Sequence, residues 1–204
     1  MKTSFTSYIQ LDAMDCGPTC LRMIAKHYGK RYSLQTLRDK SYITRAGVSM
    51  LGISDAAEYI GFRTSGVMIS LEQLTKEAPL PCIVHWKQNH FVVVYNIKKD
   101  KKAGYRIYVA DPALGLITYD EADFKKCWLS TKKESEDKGA ALLLHPGPVF
   151  FDHEDEKENK SRSIFYFLRY LIPYKSQLIQ LALGMLVVSI LQLFFPFLTQ
   201  SLVD

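Results

Sequence analysis

The amino-acid sequence predicts an α+β domain, with N-terminal helices packed on an antiparallel sheet, followed by a linker and one membrane-spanning helix. Helical spacing of apolar residues dominates the first 61 positions, and strand patterns dominate the positions from 62 to 119. A long uncharged run closes the chain. The expected bounds are 1–148 for the domain, 149–163 for a charged linker, 164–175 for an interfacial helix and 176–203 for the membrane helix.

Three helices are expected before the strands. The first starts at Cys16, with Pro18 in its first turn and a stop at Gly29. Ser33 is the expected N-cap of the second helix, and the third, "SMLGISDAAEYIG", ends at Gly61. Five strands follow, "FRTSGVMI", "PCIVHW", "HFVVVYNI", "YRIYVADP" and "GLITY", and together they predict a meander.

The C-terminal run from Ser176 to Val203 has no charged residue, and a membrane helix needs roughly 20 mostly apolar residues. A buried core helix is the alternative, but globular helices seldom run so long without a charge. The preceding "SIFYFLRYLIPYK" mixes aromatic with basic residues, as interfacial helices do. A single membrane helix that ends at Asp204 suggests a chain cut from a longer membrane protein.

The net charge of +5 is small, and its basic residues are scattered, which disfavours nucleic-acid binding. No signal peptide occurs near the N-terminus, so we expect the N-terminal domain in the cytosol and its four cysteines in the reduced state. Metal binding or catalysis therefore has to be weighed before a disulfide.

A histidine and an aspartate lie at the open end of the strongest predicted hairpin. If the hairpin is centred between Asp100 and Lys101, His90 lies directly opposite Asp111, within reach of a hydrogen bond. A slip of one residue would move the two to opposite faces. Such a pair suits a general base with a fixed tautomer, although a purely structural pair would look the same.

Cys16 is the candidate nucleophile, because the start of a helix favours a thiolate. Gly17 beside it would let a substrate backbone approach. Cys20, one turn further on, is expected to pack in the core. A metal site would need further ligands from Cys82, His85 and His90, which alternate between strand faces, and the spacing fits no structural zinc pattern.

The stretch "QLDAMDCGPTCLRMIAKHYG", followed by "HFVVVY" and "VADPALG", resembles the bacteriocin-processing, double-glycine leader peptidases over about residues 5 to 148. The resemblance implies a papain-like fold and a cysteine endopeptidase that cuts after Gly-Gly or Gly-Ala. It implies Cys16 as nucleophile, His90 as base and acid, Asp111 as the residue that orients His90, and Gln10 as oxyanion donor.

Other positions remain open within this resemblance. Asp15 matches an acidic position of the family motif, and an N-cap for the following helix is its simplest structural role. Trp86, Phe124 and Trp128 could pack in the core or line a groove, and core packing is the more common outcome.

The resemblance also implies that the domain is the cytosolic N-terminus of a multi-pass ABC exporter in the bacterial inner membrane, which works as a homodimer. The implied partners are a precursor peptide with a double-glycine leader and the lipid bilayer. The peptidase itself is expected to need no cofactor or metal, and ATP would serve only a nucleotide-binding domain that this chain lacks. The rival interpretations are a leader-binding module without activity and an acyltransferase with the same three residues.

Overall fold

The chain forms two units, residues 1–158 and 159–204, and each is described by itself. The computed structural model describes residues 5–44, 47–100, 104–129, 131–133, 136–152 and 174–203. Most of the expected charged linker and interfacial helix falls on 153–173, which lies outside the described residues.

The first unit contains six α-helices in its described residues. They are α1 (Cys16–His27), α2 (Leu34–Lys40), α3 (Met50–Tyr59), α4 (Leu71–Lys76), α5 (Glu121–Trp128) and α6 (Pro148–Asp152). Side chains cap the N-termini of α2 to α5. The hydroxyls of Ser33 and Ser49 accept hydrogen bonds from backbone N–H groups of α2 and α3, at 3.1 and 3.0 Å. Gly29, at φ 92°, follows the end of α1. The three expected helices are confirmed, and α4 to α6 were not predicted.

The strands form one antiparallel sheet in the order β1-β7-β2-β3-β4-β5, with β6 paired to β7. They are β1 (Phe62–Ile69), β2 (Cys82–Trp86), β3 (His90–Asp100), β4 (Gly104–Asp111), β5 (Gly115–Asp120), β6 (Thr131–Lys133) and β7 (Glu136–Pro146). The α+β class is confirmed. The predicted meander holds only from β2 to β5, because the unpredicted β7 lies between β1 and β2.

The continuous apolar run of β3 is buried on both faces of the sheet. Phe91 and Val93 pack in the cluster that includes α1 and α3, and Val92 and Val94 pack in the opposite cluster. Each fully buried branched side chain contributes roughly 1.5–3 kcal/mol. The second cluster contains the aromatic residues Trp86, Phe124 and Trp128, which confirms their expected place in the core.

The last helix of the first unit, α6, belongs to its core. Phe150 is fully buried, with its ring centroid 4.4 Å from that of Phe62 and 6.3 Å from that of Tyr28. Core packing therefore includes Phe150, close to the end that the sequence predicted for the domain at residue 148.

The second unit contains a 29-residue helix, α7 (Lys175–Val203). Its stretch Lys175–Gln192 has a mean hydropathy of 1.3, so it is long and apolar enough to cross a membrane by length and composition. The uncharged run of the sequence is thus helical, and its insertion in a bilayer stays a prediction.

Candidate active site

His90 and Asp111 meet at the end of the sheet where β3 begins and β4 ends. Nε2 of His90 lies 2.8 Å from Oδ1 of Asp111, and the backbone N–H of Ala113 donates to the same oxygen at 2.8 Å. The carboxylate can only accept, so Nε2 carries the proton of the first bond. Asp111 therefore fixes the orientation of the imidazole and leaves Nδ1 free to face another group.

The predicted direct pairing of His90 with Asp111 is wrong, although the contact forms. Near the turn Asn96 pairs with Tyr108, and a bulge at Tyr95 then shifts the register so that Val94 pairs with Val109. The two active-site residues are consequently diagonal neighbours on one face.

The bulge at Tyr95 decides which face His90 occupies. With the register of the turn continued unbroken, Val93 would lie opposite Asp111 and His90 would point to the other face. The extra residue of the bulge shifts the strand by one position, so that His90 and Asp111 point to the same face of the sheet.

Cys16 begins α1 and lies against His90. Burial lowers the pKa of His90, but hydrogen bonds with Asp111 and Cys16, together with their negative charges, outweigh burial and raise that pKa from 6.5 to about 9. Burial raises the pKa of Asp111, but the hydrogen bonds from His90 and Ala113 hold it below its ordinary value of 3.8. The structure thus brings Cys16, His90 and Asp111 together, with His90 hydrogen-bonded to Asp111 and with Cys16 close enough to raise the pKa of His90.

Gln10 is held next to the end of β4. Its backbone N–H donates to the carbonyl of Pro112, directly after Asp111, at 2.8 Å. Its side-chain Oε1 is buried and has no hydrogen-bond partner within the part of the chain that the structure describes. Gln10 therefore lies near Asp111, and its side-chain oxygen is available to a hydrogen-bond donor.

Cys20 differs from Cys16 as predicted. It is fully buried in the core and its Sγ–H donates to the carbonyl of Phe91 at 3.3 Å. Burial raises the pKa of this thiol well above its ordinary value. A packing role for Cys20 is confirmed.

Two expectations beside Cys16 are wrong. Gly17 does not face open space for a substrate: it is buried, and a Cβ there would lie 2.6 Å from both Val48 Cγ1 and Ile53 Cδ1. Asp15 makes no capping hydrogen bond to α1. Its carboxylate is fully buried, and its Oδ1 lies 2.9 Å from Nε of Arg38 on α2. The two side chains form an ion pair, but their geometry does not meet the angles of a hydrogen bond.

The cysteine and histidines considered for a metal site do not converge. Cys82 packs in the cluster opposite α1, and the ring of His85 stacks on Phe91 at 5.0 Å. Among the described residues, no group of three His, Cys, Asp or Glu side chains has the placement to hold a metal ion.

An apolar groove of about 370 Å³ lies between α3, β1 and β7, and the sequence did not reveal it. Its lining consists of Met50, Leu51, Ser54, Gly66, Val67, Met68, Ala140 and Leu142. Val48, two residues before Met50 of this lining, packs on Gly17, the residue after Cys16. The only sequence signal is a pair of apolar residues on exposed positions, Leu51 and Met68, which are 71% and 48% exposed.

Known proteins with related sequences are bacterial processing exporters. The chain is 36% identical to the lactococcin-G-processing and transport ATP-binding protein of Lactococcus lactis. The aligned 144 residues cover 68% of this chain and 18% of that protein. It is 28% identical over 195 residues to the colicin V secretion/processing ATP-binding protein of Escherichia coli, covering 96% of this chain and 25% of that protein. The chain therefore spans about a fifth to a quarter of the length of these relatives.

Solved structures with the same fold are peptidase domains of such transporters. A double-glycine motif protease crystallised in complex with the leader peptide matches with a TM-score of 0.58 and 29% identity, over 70% of this chain and 92% of the other. The peptidase domain of Streptococcus ComA matches with a TM-score of 0.57 and 29% identity, over 70% and 99%. The model of the peptidase C39 family matches residues 4–136, the stretch that carries Gln10, Cys16, His90 and Asp111. With its fold, its sequence relatives and this match in agreement, the chain belongs to the peptidase C39 family of cysteine peptidases.

Proposed function

We propose that this chain cuts precursor peptides after a Gly-Gly or Gly-Ala pair, and that Cys16, His90, Asp111 and Gln10 are its catalytic residues. The observation that carries the proposal is the hydrogen bond between His90 and Asp111, with Cys16 beside His90 at the start of α1. A cationic His90 and the N-terminus of α1 both favour the Cys16 thiolate.

The first step is attack of the Cys16 thiolate on the carbonyl carbon of the second small residue of the pair. A C–S bond forms and the carbonyl oxygen becomes an oxyanion. The N–H of Cys16 and the amide N–H of Gln10 donate to this oxygen. The backbone of Gln10 is hydrogen-bonded to Pro112, the residue after Asp111, which holds the Gln10 side chain near the site and supports this role.

The second step is departure of the amine. His90 gives its proton to the leaving nitrogen as the C–N bond breaks, and a thioester with Cys16 remains. A water molecule then loses a proton to His90 and attacks the thioester, which releases the leader as an acid and regenerates the thiolate. Asp111 holds the imidazole in one orientation through both proton transfers.

The leader of the precursor is proposed to bind the apolar groove as an amphipathic helix. The groove offers Met and Leu side chains, which adapt to different apolar partners. Val48, next to the α3 residues of the groove, packs on Gly17 beside Cys16, so the cleavage site of the precursor is proposed to follow the leader from the groove toward Cys16.

The wider setting follows from the relatives and is also proposed. The domain would be the cytosolic N-terminal part of a multi-pass ABC exporter in the bacterial inner membrane, acting as a homodimer. Here α7 would be the first membrane helix in contact with lipid. The peptidase would need no cofactor or metal, ATP would bind only a domain outside this chain, and nucleic acid would not be a partner.

The test of the proposed activity uses the 204-residue chain in detergent with a synthetic precursor whose helical leader ends in Gly-Gly. We expect mass spectrometry to show one cut after the pair, no cut with Cys16→Ala and retained cutting with Cys20→Ala. Both variants remove a single sulfur atom from α1, at positions four residues apart, so they differ only in which cysteine is lost. Cleavage by Cys16→Ala, or no cleavage by the unchanged chain, would contradict the proposal, and the second outcome would favour a leader-binding module.

A further inference from the structure

The buried ion pair between Asp15 and Arg38 lies directly beside the candidate nucleophile. Asp15 immediately precedes Cys16, and consecutive Cα atoms are about 3.8 Å apart. Its carboxylate is fully buried, does not cap α1, and has Arg38 on α2 as its charged partner at 2.9 Å. A buried negative charge so close to Cys16 would oppose a thiolate unless another charge balances it.

The same ion pair anchors the peptide unit that the proposed mechanism uses. The short turn before α1 is fixed by the Asp12 carboxylate, which accepts from the N–H of Met14 at 3.0 Å, and by the N–H of Asp15, which donates to the Asp12 carbonyl at 3.0 Å. The Asp15 side chain then ties the end of this turn to α2. The N–H of Cys16, the proposed oxyanion donor, belongs to that tied peptide unit.

We propose that Arg38 is a positioning residue for Cys16: it neutralises Asp15 and holds the turn, so that the thiolate forms beside a buried carboxylate. The inference rests on the proposed role of Cys16 as nucleophile. Its measurable consequence is the pH profile of Cys16 alkylation, which can be followed whether or not a precursor is cleaved.

No other described group around Cys16 supplies a positive charge that could neutralise Asp15 in place of Arg38. The titratable groups that interact with Cys16 are Cys20 on α1 and His90 on β3, and Asp111 on β4 lies behind His90. Burial raises the pKa of Cys20, so this thiol is neutral near pH 7. The residues next to Gly17 from the α3 side, Val48 and Ile53, are apolar. His90 is balanced by Asp111.

The experiment measures the rate of iodoacetamide alkylation of Cys16 against pH by peptide mapping, with the whole chain in detergent. We expect Arg38→Gln to move the midpoint of the profile up by about one pH unit, which is roughly a tenfold slower reaction below both midpoints. The double variant Asp15→Asn with Arg38→Gln should return the midpoint to within a few tenths of the original. A role in folding alone would not be reversed by removing the carboxylate.

The matched control is Arg106→Gln. Arg106 also forms an ion pair through Nε, at 2.9 Å from Asp100, but in the hairpin of β3 and β4 away from Cys16. This variant should leave the profile unchanged.

Two outcomes overturn the proposal: a folded Arg38→Gln chain with the original profile, or a double variant that keeps the full shift. If Arg38→Gln does not fold, Arg38→Lys and Asp15→Asn alone decide. Arg38→Lys should keep the midpoint within a few tenths, and Asp15→Asn, which leaves the Arg38 cation without its partner, should leave it unchanged or lower it. A rise of one unit in either variant would contradict the proposal.

Discussion

His90 shows how a partly buried imidazole can hold a proton that burial alone would remove. Desolvation lowers the pKa of a histidine, but the Asp111 carboxylate on one side and Cys16 on the other raise it to about 9. Both partners favour the cation. At neutral pH the candidate site therefore contains a cationic imidazole, which in the proposed mechanism supplies the proton for the leaving amine.

The charge of His90 makes stability depend on pH, and the sign follows from the raised pKa. A histidine with a pKa near 9 when folded and about 6.5 when unfolded stabilises the fold fully below pH 6.5 and loses this effect as pH rises through 9. Asp111, with its lowered pKa, loses its own contribution as pH falls below about 3.8. We expect the stability difference between the chain and His90→Gln to be about 1–3 kcal/mol larger at pH 6 than at pH 10.

Tryptophan fluorescence measures this difference in the first unit, because both tryptophans of the chain, Trp86 and Trp128, lie in its core. His27 is the control with the opposite sign, since burial lowers its pKa. His27→Gln should gain stability relative to the unchanged chain as the solution becomes acidic. A difference for His90→Gln that does not change between pH 6 and 10 would contradict a charged His90.

The elements around the site show what local sequence can and cannot predict. The helix start at Cys16 could be predicted from Pro18 and the apolar spacing after it, and the sorting of Cys16 from Cys20 followed from their depth in α1. The bulge at Tyr95 could not, because no glycine or proline marks it in "HFVVVYNI". The predicted register was therefore wrong. His90 and Asp111 are still in contact, because the observed register differs from the predicted one by two residues and both side chains stay on the same face of the sheet.

Packing between α1 and α3 positions the nucleophile, and Gly17→Ala tests it. The added Cβ would overlap Val48 and Ile53, both at 2.6 Å, so α1 has to shift at its first turn. We expect this variant to lose about 1–3 kcal/mol of stability and most of its cleavage activity. Trp fluorescence in urea and the precursor assay measure the two effects.

The control for the stability effect is Gly66→Ala in β1. A Cβ there would meet only Met50 Sδ at 3.9 Å, an ordinary contact, so the unfolding midpoint should not fall. A Gly17→Ala chain with the original midpoint and activity would show that this contact does not fix Cys16.

At the scale of the whole molecule, long-range pairing is what the sequence concealed. The apolar run of β7 pairs with β1 and β2, far away in the sequence, and no local pattern specifies such partners. The groove depends on this pairing, because Ala140 and Leu142 of β7 form its wall beside β1 and α3. The candidate catalytic residues could be named from short motifs, whereas the groove proposed for the leader required the assembled sheet.

The groove offers the last prediction, Met68→Glu. Met68 lines the groove and is 48% exposed, so the change leaves the core intact and places a charge where an apolar leader helix would pack. We expect KM for the full precursor to rise about tenfold or more, with kcat nearly unchanged, because the leader contacts are the same in the ground and transition states. Val149→Glu on α6, 57% exposed and outside the groove lining, is the control and should change neither constant.

A short peptide that carries only the residues around Gly-Gly separates leader binding from catalysis. Met68→Glu should cut this peptide as fast as the unchanged chain, since it has no leader to lose. A fall in kcat for the short peptide would mean that the substitution disturbs Cys16 through α3. An unchanged KM for the full precursor would place the leader elsewhere on the domain and leave the proposed cleavage chemistry intact.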